Sequence, residues 1–298
     1  MKPWKRVGLS AYYATTLPLR KVMLRRAADA GKSPIAVLFY HRVADGPHND
    51  WTIARRTFAR HLDWLREHCD LVSLADAQRL VREGNRGRIA VSITFDDGYA
   101  ENCDFALPLL LDREIPFTYF TCLDYIQRGV PFPHDVASEQ YLRPNTPAQI
   151  IELAALGAEI GAHTRTHPNL GCVDEPDRLY DEIVTARDEL EQLIGKSVRY
   201  FAFPYGLHAN LSLPAARLAH EHGYAAVCSA YGAYNIPGQS AFHLRRIHGD
   251  PEMLRFTNWL SGDPRRLIAG DTAGDFEWDV PDETTHVGDS AVMGVSGR

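Results

Sequence analysis

Short apolar runs alternate with longer segments of helical periodicity along residues 34–250, and this alternation constrains the fold more than any other feature of the sequence. A short run that is apolar throughout is typical of a strand buried on both faces. Strands that alternate with helices require crossover connections, which are right-handed and leave the strands parallel. About seven strand–helix units predict an α/β protein whose sheet is closed, or nearly closed, into a barrel.

The individual elements follow from apolar spacing and from cap and turn residues. The predicted strands cover residues 35–40, 89–95, 117–121, 158–162, 199–203, 225–229 and 242–247. The predicted helices cover residues 58–68, 74–83, 103–113, 147–156, 175–194 and 214–222. We expect Thr57 to cap the first of these helices and Pro108 to bend the third. The proline-rich stretch 124–145 is longer than an ordinary connection and indicates a loop on the substrate side.

The composition is that of a soluble globular protein with a sizeable core, since 45% of the 298 residues are hydrophobic and 23% are charged. A net charge of -6 argues against a nucleic-acid partner, which normally requires a basic face. The five cysteines are far apart and form no Cys-x-x-Cys pair, which predicts reduced, mostly buried thiols in a cytoplasmic protein. The sequence shows neither a run long enough for a transmembrane helix nor a secretion signal.

The two ends of the chain differ in charge, and we predict a basic N-terminal extension (1–33), a barrel domain (34–258) and an acidic tail (259–298). The extension contains Lys2, Lys5, Arg6, Arg20, Lys21, Arg25, Arg26 and Lys32 against the single acid Asp29. Large apolar residues are mixed with these cations. The extension is therefore expected to contact an anionic membrane surface, to pack on the domain as a helix, or to remain a basic arm in solution. The tail is expected to be solvated and loosely ordered.

Two adjacent carboxylates, Asp96 and Asp97, follow the predicted strand 89–95 and precede Gly98. Burial of both is unfavourable unless their charge is compensated, and a metal ion would compensate it. Neighbouring side chains on an extended chain point to opposite sides, so one carboxylate can bind a metal while the other acts as a base. A single Asp at this position would equally suit a helix N-cap, whereas the pair favours a metal site.

Two histidines, His163 and His167, follow the predicted strand 158–162. Histidines four residues apart match a metal site if the segment turns like one turn of helix. Neutral imidazole suits zinc, cobalt, nickel or iron(II). Two histidines and one carboxylate leave coordination positions open for water and substrate, which indicates a catalytic rather than a structural metal site.

Polar groups also follow three other predicted strands. Residues 204–206, Pro-Tyr-Gly, form a turn that can aim the Tyr205 backbone N–H at a developing oxyanion, or they are an ordinary turn. His41 follows the first strand, where an imidazole can act as a general acid. Arg246 and His248 lie in the last strand region, and an arginine there can orient a carboxylate or remain a surface charge.

The order and spacing of these motifs resemble the polysaccharide deacetylase family (NodB homology domain, carbohydrate esterase family 4). The motifs are Thr-Phe-Asp-Asp-Gly at 94–98, His-Thr-Arg-Thr-His-Pro at 163–168 and Phe-Pro-Tyr-Gly at 203–206. The leading Phe-Tyr-His-Arg-Val at 39–43 resembles the branch related to poly-N-acetylglucosamine deacetylases. The resemblance covers roughly residues 34–250 and implies a distorted (β/α)7 barrel with mainly parallel strands.

The resemblance also implies a role for each matching residue. Asp96 corresponds to the general base that takes a proton from the attacking water. The implied metal ligands are Asp97, His163 and His167, with zinc the expected ion and cobalt, nickel or iron as alternatives. Tyr205 corresponds to the residue whose backbone N–H binds the oxyanion.

Two roles are assigned less directly, because the sequence departs from the family pattern. The family's general acid is a late histidine in a Leu-x-His motif, which Ile247-His248 meets only loosely. In the branch with the leading Tyr-His motif an early histidine takes this part, so His41 is the first choice and His248 the second. Ala202-Phe203 stands where the family often has an arginine before Pro-Tyr, and Arg246 is the candidate to orient Asp96.

The sequence therefore predicts a metal-dependent hydrolase that removes the N-acetyl group from an amino sugar in a polysaccharide or oligosaccharide. A deformylase or deacetylase of a lipid-linked sugar at the cytoplasmic membrane face is one alternative, suggested by the basic N-terminus. A non-catalytic carbohydrate-binding module is another, although a module that only binds has no need for a base. The expected partners are an N-acetylated glycan and, through the N-terminus, a membrane surface.

Overall fold

The computed structural model describes residues 1–47, 49 and 51–267. The helices are α1 (Pro3–Asp29), α2 (Arg55–His68), α3 (Leu74–Glu83), α4 (Ala106–Asp112), α5 (Leu123–Arg128), α6 (Pro133–Ala137), α7 (Pro147–Ala155), α8 (Pro176–Tyr180), α9 (Ala186–Ile194), α10 (Leu213–Glu221) and α11 (Met253–Trp259). The strands are β1 (Ile35–Tyr40), β2 (Arg42–Val43), β3 (Thr52–Ile53), β4 (Asp70–Leu71), β5 (Ala90–Phe95), β6 (Phe117–Thr121), β7 (Glu159–Ala162), β8 (Tyr200–Ala202), β9 (Ala226–Cys228), β10 (His243–Leu244) and β11 (Arg246–His248). Residues 268–298, most of the predicted acidic tail, lie outside the described residues.

The main sheet is parallel and nearly closes into a barrel, as the sequence predicted. Its order is β10-β9-β8-β7-β6-β5-β1-β11, with β4 paired to β5 beside this path. The predicted single strand 242–247 is wrong, because it is two strands, β10 and β11, separated by Arg245. One pairs with β9 and the other with β1, so consecutive residues join the two ends of the sheet.

Asn235 stabilises the break between these two strands. Its side chain accepts a hydrogen bond from the Arg245 backbone N–H (2.8 Å) and donates one to the Arg245 carbonyl (2.9 Å). Its own backbone N–H donates to the Ile35 carbonyl (2.8 Å). The backbone groups of Arg245 are thus satisfied where the ladder is interrupted, which lets the chain change strand partner without burying unpaired groups.

The strands are buried on both faces, in agreement with their apolar sequences. In β1, Ile35 and Val37 belong to one hydrophobic cluster, whereas Ala36 and Leu38 belong to another. This alternation follows from the period of two in a strand. One side of the sheet fills the barrel and the other packs against the helices.

Two predicted helix features are wrong. Helix α2 begins at Arg55 instead of Phe58, because the Asp45 carboxylate accepts the Arg55 backbone N–H (3.0 Å) and Thr57 makes no cap. The predicted helix 103–113 is a 3₁₀ turn (Ala100–Asp104) followed by α4, and the break falls at Phe105. Pro108 lies in the first turn of α4, where its missing N–H has no partner to lose, and it does not bend the helix.

The predicted loop 124–145 contains the short helices α5 and α6, and the predicted helix 175–194 is interrupted by a π-helical turn at Asp181–Thr185. The extra residue of that turn changes the helix face that points to the barrel. Helix α7 begins as expected, since Thr146 and Gln149 form a capping box.

Helix α1 packs lengthwise against the barrel beside α11. Arg20 is buried and donates hydrogen bonds to both the carbonyl and the side chain of Asn258 (2.8 Å each).

Within the described ranges, no helix is long and apolar enough to cross a membrane. All five cysteines are unpaired, and Cys69, Cys122 and Cys228 are buried.

Candidate active site

Asp97, His163 and His167 form a compact cluster at the carboxyl ends of β5 and β7. Asp97 Oδ1 lies 3.6 Å from His163 Nε2 and 3.3 Å from His167 Nε2. One ligand atom from each residue lies within 4.8 Å of the others. Strand ends of a parallel barrel gather at one mouth, which explains how residues so far apart in sequence come together.

Local backbone conformation aims the three side chains at one point. Asp97, Thr164 and His167 all have positive φ (71°, 67° and 59°). The Thr164 hydroxyl accepts the His167 backbone N–H (2.9 Å). The segment is therefore a non-helical turn, and the two histidines come together without the turn of helix that their spacing would otherwise require. Such unfavourable φ values persist where the surrounding structure requires them, and they cluster at functional sites.

The protonation of the cluster fits a metal site. His163 Nδ1 lies 2.7 Å from the Ala202 carbonyl, which can only accept, so Nδ1 carries the proton and Nε2 presents a lone pair to Asp97. Burial lowers the pKa of His163 to about 4 and so keeps this ring neutral. Burial raises the pKa of Asp97, but the three nearby imidazoles of His167, His41 and His163 lower it more, and it lies below its ordinary value.

The environment of Asp97 Oδ1 tests whether these residues suit a metal ion. This oxygen is buried and has no hydrogen-bond partner among the described residues. An unpaired carboxylate oxygen between two imidazole nitrogens is unfavourable unless a cation completes the group. The donor set, one carboxylate and two imidazoles, suits zinc and related divalent ions.

Asp96, the adjacent carboxylate, has a different partner. Arg246 Nη1 and Nη2 donate to its two oxygens at 2.6 and 2.8 Å. Arg246 is itself held by the Thr94 hydroxyl (3.1 Å) and the Ser229 carbonyl (2.9 Å). Burial raises the pKa of Asp96, but Arg246 and then His163 outweigh it, and the pKa lies below its ordinary value. Asp96 is therefore a carboxylate at neutral pH.

The turn after β8 brings Tyr205 to the cleft. Tyr205 has φ of 61°, and its ring centroid lies 5.0 Å from that of His167. Its backbone N–H donates to no other described residue. Gly206 also has positive φ (64°), and a Cβ there would lie 2.7 Å from the Ala230 backbone nitrogen. Glycine is thus required for the turn that presents Tyr205.

These side chains line a cavity of about 320 Å³ that is open to solvent. Its lining includes His41, Trp51, Asp96, Asp97, His134, His163, His167 and Tyr205. His248 is not among the described residues that line it. The His248 ring lies against Phe39 and Trp51 and borders a separate small recess. The geometry thus brings His41 to the cleft and leaves His248 outside it.

His41 is held at the cleft by its neighbours. Its ring centroid lies 4.7 Å from that of Trp51, and its carbonyl accepts a hydrogen bond from the Asn102 side chain (2.7 Å). Burial lowers the pKa of His41, with Asp97 and Asp96 opposing that effect. The buried Nδ1 atom of His41 has no hydrogen-bond partner among the described residues.

The sequence analysis missed Trp51, His134 and Asp135 as cleft residues. Asp135 is buried and accepts a hydrogen bond from the Tyr99 hydroxyl (2.8 Å), which also lies 3.0 Å from His134 Nε2. The prediction that 124–145 is a substrate-side loop was the only available signal for His134 and Asp135. No pattern in the sequence points to Trp51.

The parallel barrel and its carboxylate–histidine cleft define a barrel hydrolase. The family model described as polysaccharide deacetylase matches residues 83–227. Residues 83–227 are thus a polysaccharide deacetylase domain, and the comparisons support a hydrolase that acts on carbon–nitrogen bonds other than peptide bonds.

Similar proteins agree with this match. A putative polysaccharide deacetylase of Bacillus subtilis, YxkH, is 24% identical over 226 residues, which cover 74% of this chain and 72% of that protein. A chitooligosaccharide deacetylase of Bradyrhizobium is 29% identical over 123 residues, or 41% of this chain and 48% of that protein. The solved structure of IcaB from Ammonifex degensii superposes with a TM-score of 0.62 at 26% identity, and covers 76% of this chain and 97% of IcaB.

Proposed function

We propose that this protein is a metal-dependent deacetylase that hydrolyses the N-acetyl group of an amino sugar in a polysaccharide or oligosaccharide. One observation carries the proposal. Asp97 Oδ1, which has no hydrogen-bond partner among the described residues, lies between the imidazoles of His163 and His167 in the same cleft as the ionised Asp96. A cation site beside an ionised carboxylate base is the arrangement that amide hydrolysis by water needs.

Asp97, His163 and His167 would hold the divalent ion, for which zinc is the first candidate. When bound, the ion lowers the pKa of water and polarises the amide carbonyl. The protein's part is to present three ligands and leave the remaining positions free. The hydrogen bond from His163 to the Ala202 carbonyl fixes the ring for this purpose.

Asp96 acts as the general base and Arg246 positions it. The two parallel hydrogen bonds from the guanidinium fix the plane of the carboxylate, and each oxygen retains a lone pair. Because Asp96 is ionised at neutral pH, it can take a proton from the attacking water. The Tyr205 backbone N–H, free of any described acceptor, then donates to the oxyanion that develops on the acetyl group.

His41 delivers the proton to the leaving nitrogen. It lines the cleft and its Nδ1 is free of any described partner. Burial lowers the pKa of His41, and the carboxylates of Asp97 and Asp96 partly offset that effect. His248, the second choice from the sequence, borders a different recess. The products of the proposed reaction are acetate and a free amino sugar.

The rim of the cleft is suited to a sugar ring. Trp51 and Tyr205 both line the cavity and expose about half of their surface to solvent. Exposed aromatic faces beside polar groups bind molecules that have both apolar and hydroxylated sides. The names of the relatives, polysaccharide deacetylase and chitooligosaccharide deacetylase, agree with this substrate class.

The test is acetate release from a panel of N-acetylated oligosaccharides, with the metal content of the same sample measured. We expect release that a chelator abolishes and that a divalent ion restores. Acetate release that persists in metal-free protein would contradict the metal site. Full metal occupancy without acetate release from any member of the panel would contradict the proposed substrate class.

A lipid-linked amino sugar is a second candidate, because α1 begins at the same end of the barrel as the cleft. Arg6, in its first turn, lies 3.8 Å from Glu252, four residues beyond the end of β11. Comparison of acetate and formate release from a lipid-linked and a soluble sugar of the same structure would distinguish the two candidates. Equal rates would contradict a requirement for the lipid.

A further inference from the structure

Helix α1 carries apolar side chains on two opposite faces. The inner face, which includes Tyr12, Tyr13 and Leu24, packs on the barrel or on α11. The outer face exposes Trp4 (68%), Val7 (70%) and Val22 (45%) to solvent. A surface helix of a soluble domain normally turns polar residues outward, whereas the outer face of α1 exposes large apolar side chains.

The outer apolar residues form one stripe. Trp4, Val7, Ala11, Pro18 and Val22 are separated by three, four, seven and four residues, and all are exposed. These spacings keep them on one side of a helix of 3.6 residues per turn. Leu19 and Met23 extend the exposed surface beside the stripe. A contiguous apolar surface of this kind marks an interaction site.

The helix cannot rotate to bury this stripe. Arg20 is fully enclosed on the inner face and makes two hydrogen bonds to Asn258. The Tyr12 hydroxyl donates to Asp263 (2.9 Å), and the Tyr13 hydroxyl lies 3.1 Å from that of Ser261. These buried polar contacts fix the orientation of α1, because breaking them would leave a buried guanidinium unpaired.

Cations lie near both ends of the stripe, around Trp4 and around Val22. Lys2, Lys5, Lys21, Arg25 and Arg26 are all exposed. The only acid on the helix is Asp29, its last residue. The protein as a whole has a net charge of -6, so this basic helix is a local reversal of the charge balance. A partner that meets this face is therefore expected to be anionic as well as apolar.

A large cavity opens beside the same helix. It measures about 660 Å³ and lies between α1 and the amino-terminal ends of β1 and β5, at the end of the barrel opposite the active-site cleft. Leu17, Leu24, Trp64 and Leu260 supply apolar walls, and Lys21 and Arg25 stand at the helix side. No acidic residue lines it among the described residues. An apolar cavity with a cationic rim fits one acyl chain with an anionic headgroup.

We propose that the outer face of α1 binds the surface of a membrane that contains anionic lipid. Trp4, Val7 and Val22 enter the interface between headgroups and acyl chains, and the lysines and arginines at the two ends of the stripe contact the headgroups. The lipid surface is favoured over a protein partner because exposed cations lie at both ends of the stripe and the adjoining cavity has a cationic rim.

This docking fixes the position of the active site relative to the membrane. The first turn of α1 lies near Glu252, beyond the carboxyl end of β11, where the active-site cleft is also found. The last turn lies near Asn85, ahead of β5. The helix therefore runs along the barrel from the cleft end to the opposite end, with Trp4 at the cleft end.

The test is co-sedimentation of the full chain with vesicles of phosphatidylcholine alone or with equal parts of phosphatidylglycerol. We expect binding to the anionic vesicles that is lost on raising the salt from about 0.1 to about 1 M. The double variant Trp4→Glu/Val22→Glu should bind at least about tenfold more weakly. Replacing Lys5 or Lys21 by glutamine should weaken binding about fivefold each.

The matched control is Ile151→Glu. Ile151 is β-branched and 43% exposed on α7, nearly the same exposure as Val22, but it lies outside the stripe. This variant should bind vesicles as the unchanged protein does. All variants should keep their thermal midpoint and hydrolyse a soluble oligosaccharide at the same rate, so vesicle binding is measured separately from catalysis.

Three outcomes would overturn the proposal. The first is equal, weak sedimentation with both kinds of vesicle. The second is a dimer in solution that Trp4→Glu/Val22→Glu dissociates without any vesicle binding, which would assign the stripe to a second copy of the chain. The third is vesicle binding only after removal of residues 268–298, which would assign the basic face to the chain's own acidic segment.

Discussion

Arg246 donates two hydrogen bonds to the carboxylate of Asp96, although the two residues are 150 positions apart in the sequence. The arginine comes from β11 and the aspartate follows β5, with β1 between these strands. The contact therefore exists only because β11 pairs with β1 at the seam of the sheet. The strand pairing that nearly closes the barrel therefore also brings Arg246 to Asp96, the general base of the proposed reaction.

Asp96→Asn should remove activity and keep the metal ligands intact. The amide cannot take a proton from water, so acetate release should fall at least about 100-fold. Metal content should remain stoichiometric, because Asp97 and the two histidines are unchanged. Acetate release and metal analysis on one sample check both statements. Activity equal to that of the unchanged protein would refute the role of Asp96 as base.

Arg246→Lys should move the acid limb of the pH–rate profile to higher pH. Burial raises the pKa of Asp96 and Arg246 lowers it, so weakening the arginine contact lets the pKa rise. Activity requires ionised Asp96 and is lost as the pH falls through that pKa. The free energy of unfolding should also decrease by about 1.5–3 kcal/mol, since a charged hydrogen bond is lost.

The control for this variant is Arg79→Lys, which alters an exposed arginine paired with Asp76 and Glu83. It should leave both the free energy of unfolding and the pH–rate profile unchanged, because an exposed ion pair contributes little to stability. An acid limb that stays in place in Arg246→Lys would show that the arginine does not tune Asp96.

His163→Ala should lose the metal and with it the activity. The ring supplies one of three ligands, and its orientation is fixed by the Ala202 carbonyl, so the alanine variant leaves only two of the ligands. His134→Ala is the matched control, since His134 lines the same cavity outside the cluster and should keep the metal. Metal analysis after dialysis measures both. Stoichiometric metal in His163→Ala would rule out the proposed ligand set.

His41→Ala should lose the alkaline limb of the pH–rate profile on an amide substrate, whereas His248→Ala should retain it. A general acid must be protonated, so its activity declines as the pH rises through its pKa. His41 lines the cleft, and His248 borders a separate recess. The opposite result, with the limb lost only in His248→Ala, would transfer the role to His248.

Gly206→Ala should reduce acetate release by about 100- to 1000-fold, the usual effect of losing one oxyanion donor, with the metal retained. A Cβ at this position meets the Ala230 backbone, so the turn that presents the Tyr205 N–H must shift. Gly129→Ala is the matched control, because it has nearly the same φ (63°) and open space around its Cβ. It should lose about 1 kcal/mol of stability and no activity. Equal activity in the two variants would exclude the proposed function of the turn.

Much of the fold was accessible from local patterns. The apolar run 35–40 became β1 with the expected bounds, and the helix predicted over 74–83 also has those bounds in the structure. Errors arose where a distant residue controlled a local feature. Asp45 caps α2 from ten residues away, and Asn235 supports the break between β10 and β11. The spacing of apolar residues within a short stretch of sequence carries no information about contacts between such distant residues.

The sequence by itself determined that polar side chains would follow buried parallel strands, and therefore that Asp96, Asp97, His163 and His167 would meet at one end of a barrel. The reason is that strand period and crossover handedness are local properties of the chain. Only the tertiary structure decided that Arg246 reaches Asp96, that His41 and not His248 lines the cleft, and that α1 keeps an apolar face in solvent. Those relationships depend on strand register and on which helix face is already covered, and both are set by packing between distant segments.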